Sequence, residues 1–382
     1  METSSFDSPG APPPPVSPPP PIITPPPSPK SRKGLGWMIF AIILLVLLLV
    51  SLLGNFTQFI SHALSFNRGF TPGITREVGP RLEECLLKDN DADDKIAVVR
   101  VDGIITSSIV DQAGNNLVDV IKAQLNRAKK DKHVKAVILK VDSPGGEVLA
   151  SDEINKAIKK FQDTSGKPVI CSMGSLAASG GYYISAPCRW IVADELTLTA
   201  SIGVIIETLN YRTLMNKVGV EPVVYKSGKF KDMLSGMRST NEIPPEEHAM
   251  VQDLITQTYQ QFTNVVATGR GAAHGLNKTE GRALTRNWAD YADGRVLSGA
   301  DALKYGFVDQ LGDFDDAVKT ADKIAKIPNA NLIEYRERYD ITDFLSLLGQ
   351  SSKTQDIKLD LGVDIPKLRL GELYFLWLPP AD

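Results

Sequence analysis

Histidine is scarce in this chain: four in 382 residues, at His62, His133, His248 and His274. They are scattered, no two stand at ligand spacing, and there is no HExxH helix, so a zinc centre has no donor set. Cysteine is scarcer still, with Cys85, Cys171 and Cys188 and no CxxC. Three thiols allow at most one intramolecular bridge; Cys171 with Cys188 is one option, and two buried free thiols is the other. Neither sign of charge is in excess, since 42 basic and 45 acidic residues leave a formal net charge of −3. Nothing in that balance calls for a nucleic-acid partner. Glycine-rich phosphate loops are missing too, because no glycine turn leads into GK[ST] or completes GxGxxG. No metal and no cofactor is expected.

Proline, by contrast, is unevenly abundant: about half of the 25 prolines precede Lys30, in runs at 12–15, 18–21 and 25–27. Proline fixes φ and has no N–H to give a helix or ladder, so residues 1–34 read as an extended or disordered tail. Such a tail is either plainly solvated or a docking site for a polyproline-binding domain. Residues 35–54, LGWMIFAIILLVLLLVSLLG, carry no charge. About 20 residues at ~1.5 Å rise span a ~30 Å hydrocarbon core, which predicts a transmembrane helix rather than a shorter signal-peptide core. Lys30, Arg32 and Lys33 precede it, and only Arg68 and Arg76 follow closely. The positive-inside rule then puts the tail in the cytoplasm and the rest outside, in a single-pass cell-membrane protein. Residues 55–94, mixed and polar, read as a stalk.

From residue 95 the pattern changes. Apolar, β-branched runs at 96–101, 134–141, 168–173 and 189–193 predict buried strands. Helical spacing at 115–130 and 151–161, and a helix starting within 177–185, fill the gaps. This alternation predicts an α/β domain with parallel strands and helices packing on the sheet, over 95–320. Residues 241–268 also show helical apolar spacing, suited to their own core or to a neighbour. Residues 321–382 form a C-terminal extension. Its apolar, aromatic end (Tyr374, Phe375, Trp377) is a strand docked on a neighbour, a segment inserted near an active site, or a membrane-touching end.

Two glycine-bearing strand-to-helix turns stand out: Asp142-Ser-Pro-Gly-Gly-Glu147 and Ser175-Leu-Ala-Ala-Ser-Gly-Gly-Tyr-Tyr183. Paired glycines free backbone N–H groups at a helix start, which suits an oxyanion hole and equally suits close packing. Ser179 sits among Ala177, Ala178, Gly180 and Gly181, small neighbours that let a substrate carbonyl approach. No histidine lies between Cys171 and His248, so a histidine triad lacks support and the remaining base is a lysine. Lys231 has apolar flanks, and desolvation makes a lysine easier to deprotonate. The residues themselves do not separate it from Lys226 or Lys229.

Four segments together resemble the signal peptide peptidase A family in its short, single-catalytic-domain form: DSPGGEV at 142–148, SLAASGGYYIS at 175–185, TASIGVI at 199–205 and SGKFKDMLS at 227–235. GRVLSGADALKYGFVDQLG at 294–312 is similar to the family's closing helix and strand. The resemblance implies a Clp protease/crotonase-like spiral of β-β-α units and a Ser–Lys dyad. It assigns Ser179 as nucleophile, Lys231 as general base and Ser201 as the serine orienting the lysine amine. Gly146 becomes an oxyanion-hole donor, with the Gly180 N–H as the second. The sequence departs from the family's pattern at Ala200, where glycine is usual. Also implied are cleaved signal peptides and other unfolded or membrane-derived peptides as substrates, and a ring or dome homo-oligomer on the membrane. The resemblance leaves open whether Lys231 serves the same or a neighbouring subunit. A neutral lysine base implies a rate rising through about pH 7 to 9. Other function classes on these residues are a crotonase-like acyl-transfer enzyme and an inactive scaffold binding membrane-protein segments.

Overall fold

The computed structural model describes residues 38–52, 79–108, 115–278, 280–338 and 373–376. The chain divides into two units, Met1–Arg76 and Glu77–Asp382. In the first, the described residues form one helix, α1 (38–52), with exposed apolar side chains. Among the described residues no helix is long and apolar enough to cross a membrane. The ends of the predicted span, 35–37 and 53–54, and the proline tail lie outside the described residues.

The second unit is built on a sheet of nine strands. Its main path runs β1 (Leu82–Lys88), β10 (Asn331–Glu337), β2 (Lys95–Asp102), β3 (Val134–Ser143), β5 (Val169–Ala178), β6 (Trp190–Ala193) and β9 (Gln310–Leu311). From β10 to β9 every neighbouring pair is parallel; only β1 runs antiparallel, on β10. β7 (Leu198–Ala200) continues from the end of β5 and pairs antiparallel with β8 (Val296–Ser298). The crossovers are helices: α2 (Leu117–Lys130), α3 (Val148–Ser165) and α4 (Gly180–Ser185), with α5 (Arg212–Lys217), α6 (Pro245–Asn277), α7 (Gly299–Tyr305) and α8 (Phe314–Ala325) later.

Both faces of the sheet are covered, which explains the continuous apolar runs. Alternate residues serve opposite faces. Ala97, Val99, Val137 and Leu139 join Ile121, Ile154, Tyr183 and Phe262 in one core. Ile96, Ala136, Ile138 and Ile170 pack instead against Ala317 and Ala321 of α8. Local signals set the helix ends: the Asn116 side chain accepts the Asp119 N–H at 3.0 Å to start α2, and Gly166 in the left-handed region stops α3.

Two expected boundaries need correction. Residues 82–88, read as stalk, are the edge strand β1. Residues 331–337, read as extension, are β10, inserted parallel between β1 and β2. Each gains its ladder only from a partner some 240 residues away in sequence (Asn90 and Asn331 hydrogen-bond across that gap), so no local pattern announces it. Cys171 and Cys188 are buried free thiols; the Cys171 Sγ hydrogen-bonds the Ser185 Oγ at 3.2 Å. In α6, Phe262 and Val266 enter the chain's own core, while Met250 and Leu254 are exposed.

Candidate active site

Ser179 stands between the last residue of β5 and the first of α4, with φ 55° and ψ −115°. That backbone region is costly for a residue bearing a Cβ and persists only where surrounding bonds enforce it. Here the Ser179 N–H donates to the Ala200 carbonyl at 2.8 Å, and the Ser179 carbonyl accepts the Tyr183 N–H at 2.8 Å. The side chain sits in a buried setting, 1 % exposed.

The two glycine turns meet. A Cβ built on Gly180 would lie 3.1 Å from the Gly146 nitrogen, so the two expected oxyanion donors are neighbours. Gly146 itself lies in β4 (Gly145–Glu147), and a Cβ there would come within 1.9 Å of the Ile105 carbonyl oxygen. Only glycine lets these chains approach so closely.

Ser201 follows the residue that accepts the Ser179 N–H. It is 6 % exposed, its N–H donates to Arg295 O at 2.9 Å, and its Oγ donates to Gly294 O at 3.2 Å. Ala200 and Ser201 both have positive φ, 60° and 48°. Glycine would hold the first of these without steric cost, which accounts for glycine being usual there; nothing in the structure explains the alanine at 200.

Lys231 is placed differently. It is exposed, and among the described residues its side chain makes no hydrogen bond or ion pair to Ser179, Ser201 or any carboxylate. Its two competitors are engaged: Lys226 pairs with Asp232 at 2.8 Å, and Lys229 with Glu246 at 3.4 Å. Thus Ser179, Ser201, Gly146 and Gly180 are brought together within one subunit, and Lys231 is left as the unpaired lysine of its loop.

Sequence reasoning missed the support around the turn. Burial raises the Glu147 carboxyl, but hydrogen bonds from Ser108, Thr106 and Ser107 outweigh it and hold the group at about 2. Glu147 thereby ties the loop after β2 to β4. β11 (Tyr374–Leu376) was also left open by the sequence. It pairs antiparallel with β4, Phe375 opposite Gly146. Among the described residues no group of three or more His, Cys, Asp or Glu is placed to hold a metal.

Peptidase family S49 matches residues 161–328 of the chain. A protein of Enterococcus faecium named signal peptide peptidase SppA is 37% identical over 69% of this chain and 73% of its own length. Protease 4 of Salmonella typhi is 35% identical over 65% of this chain, and the chloroplastic serine protease SPPA of Arabidopsis thaliana is 32% identical over 68%. The matched stretch spans 38% and 37% of those two longer relatives. With a buried serine on a strained strand-to-helix turn and a relative matched along most of its length, the chain belongs to the S49, signal peptide peptidase A, family and is a serine peptidase.

Proposed function

We propose that this chain is a membrane-anchored endopeptidase that degrades cleaved signal peptides and other unfolded or membrane-derived peptides. The observation that carries the reading is the convergence of Ser179, in its strained backbone, with Gly146 and Gly180. Ser179 Oγ attacks a peptide carbonyl while Lys231 Nζ takes its proton. The oxyanion is held by the Gly146 and Gly180 N–H groups, which need no reorganisation because the backbone already fixes them. The lysine ammonium then protonates the leaving amine, and water, activated by the same amine, releases the acyl group from Ser179. Ser201, beside this turn, orients the lysine amine.

The parallel sheet with helices on both faces is compatible with a Clp/crotonase-like spiral. The apolar helix at 38–52 is the described part of an anchor whose proline-rich end is cytoplasmic and whose catalytic unit is extracytoplasmic. An exposed Lys231 suits an assembly in which a second copy covers it. The neighbouring stretch supports this, since Leu209, Leu214, Val218, Val223 and Tyr225 are all exposed. A ring or dome of copies would bury that apolar surface and desolvate the base.

The test is turnover of a fluorogenic peptide by the detergent-solubilised chain and by Ser179→Ala and Lys231→Ala. Both variants are expected to lose about 10³-fold or more in kcat/KM, with the wild-type rate climbing from about pH 7 to 9. Equal rates for all three proteins would sink the peptidase chemistry, and a pH-independent rate would remove Lys231 from it.

A further inference from the structure

The loop that carries Lys231 has no helix or strand to hold it: from the end of α5 to residue 239 the backbone makes only turns and extended links. A chain of alternating charges holds it instead. Lys226 Nζ donates to both Asp232 oxygens, at 2.8 and 2.9 Å. Arg238 Nη1 lies 3.5 Å from Asp232 Oδ1, and Arg238 Nη2 donates to both oxygens of Glu247. Glu247 stands in the first turn of α6 and is 3 % exposed. Its Oε1 also accepts the Leu234 N–H at 3.2 Å. Leu234 has φ 66°, a conformation that a leucine keeps only where its surroundings enforce it. On the other side of the loop, the Gly236 carbonyl accepts the Tyr211 N–H and the Arg238 carbonyl accepts Asn210 Nδ2, each at 3.0 Å.

Positions 226, 232, 234 and 238 are thus all tied, and Lys231 lies within that frame with its own amine uncommitted. Asp232 is the next residue in the chain. A free carboxylate there would be an anion beside the base and would favour its ammonium form. That carboxylate is engaged: the Lys226 hydrogen bond first, and the Arg238 charge after it, hold the Asp232 carboxyl below its ordinary value. The other charged groups facing the loop are Glu242, and Glu246 and Glu247 of α6. Glu247 and Glu242 act on Arg238, and Glu246 pairs with Lys229. Arg238 suits the central place because its planar fork meets Glu247 with one nitrogen and Asp232 with the other.

We infer that Lys226, Asp232, Arg238 and Glu247 are positioning residues for Lys231: they fix the loop that carries the base and keep the adjacent carboxylate occupied, so that the lysine amine can be neutral. The inference rests on the peptidase reading above, with Lys231 as the base. The sign of the effect follows. Loss of Lys226 leaves Asp232 less compensated and removes a like charge, and both changes favour the ammonium form of Lys231. The rise in rate then moves to higher pH. Loss of the Asp232 charge moves it back.

The experiment measures kcat and KM of the full detergent-solubilised chain across the alkaline rise, for wild type, Lys226→Met, Lys226→Met with Asp232→Asn, and Glu247→Gln. Lys226→Met is expected to move the midpoint of the rise up by about half a pH unit or more, which lowers kcat about threefold at the foot of the profile with KM unchanged. Adding Asp232→Asn should bring the midpoint back towards the wild-type value. Glu247→Gln, which leaves the Arg238 charge short of its partner, should lower kcat about tenfold with KM within about twofold. Lys226 is the outermost member of the chain, so its variants read the inference even where Glu247→Gln fails to fold. A network that only stabilised the fold would leave the midpoint in place, and the second substitution would add to the damage of the first. Either result, with wild type still turning over peptide, would overturn the positioning role and leave the peptidase reading intact. Equal turnover by wild type and Ser179→Ala would remove that reading and this inference with it.

Discussion

At the scale of the residue, the site is a set of backbone conformations that L-residues avoid. Ser179, Ala200 and Ser201 all have positive φ, and one hydrogen bond joins the first of them to the second. Glu147 supports the facing glycine turn, and its chemistry yields a pH prediction. Its carboxyl is held at about 2, below its ordinary 4.5. A depressed carboxyl stabilises the fold above the unfolded value and loses that contribution as pH falls through the folded one. Because the group is only half-buried, solvent screens the contribution to about 1–2 kcal/mol. Urea unfolding of the wild type should therefore show stability falling from about pH 5 towards 2, with a shallower fall in Glu147→Gln. Parallel curves would show that the Thr106–Ser108 cradle does not matter. How much of this was legible? Ser179 was, because small neighbours at a strand-to-helix junction carry a steric message. The strain was not, since alanine and serine give no sign that they will take a positive φ. Nor was Lys231, whose role is a matter of partners in space, and a sequence shows every lysine alike.

Elements explain why the site is rigid. β5 runs past the end of β6 and hands its ladder to β7, so Ser179 projects from a strand paired on both sides almost to its last residue. The central strands and their helices could be read from periodicity, because burial on both faces writes continuous apolar runs. Three strands could not: β1, β10 and β11 are defined by partners distant in sequence. α6 is the longest lever on the domain, and one buried ion pair fixes it. Arg270 and Asp309 are both fully buried and paired with each other. Arg270 also donates to Cys188 O at 3.1 Å, and Asp309 accepts the Ile191 N–H at 2.9 Å and the Arg282 N–H at 3.1 Å. Removing one partner strands the other charge out of water, so Arg270→Ala should cost about 3–5 kcal/mol. Equilibrium unfolding in urea reads this directly. A loss below about 1 kcal/mol would mean that water reaches Asp309 and that the pair contributes little to holding α6.

For the whole molecule, the question is whether one chain makes a complete site. Within the described residues Ser179, Gly146 and Gly180 converge, whereas Lys231 sits exposed. A base that must be neutral needs desolvation, and a second copy is the covering that the chain's own composition suggests. In a head-to-tail ring, each site would take Ser179 from one copy and Lys231 from the next. Co-expression separates this from a site made within one chain. A Ser179→Ala copy keeps its lysine, and a Lys231→Ala copy keeps its serine. If sites form between copies, equal mixing regenerates about a quarter of the wild-type sites, although each variant alone is inactive. If they form within one chain, the mixture stays as inactive as its parts. Recovered turnover that disappears when the mixed assembly is diluted to monomers would tie the base to the neighbour. No recovery in an assembly shown by sizing to be mixed would return Lys231 to its own subunit, and its loop would then have to fold inward when peptide binds.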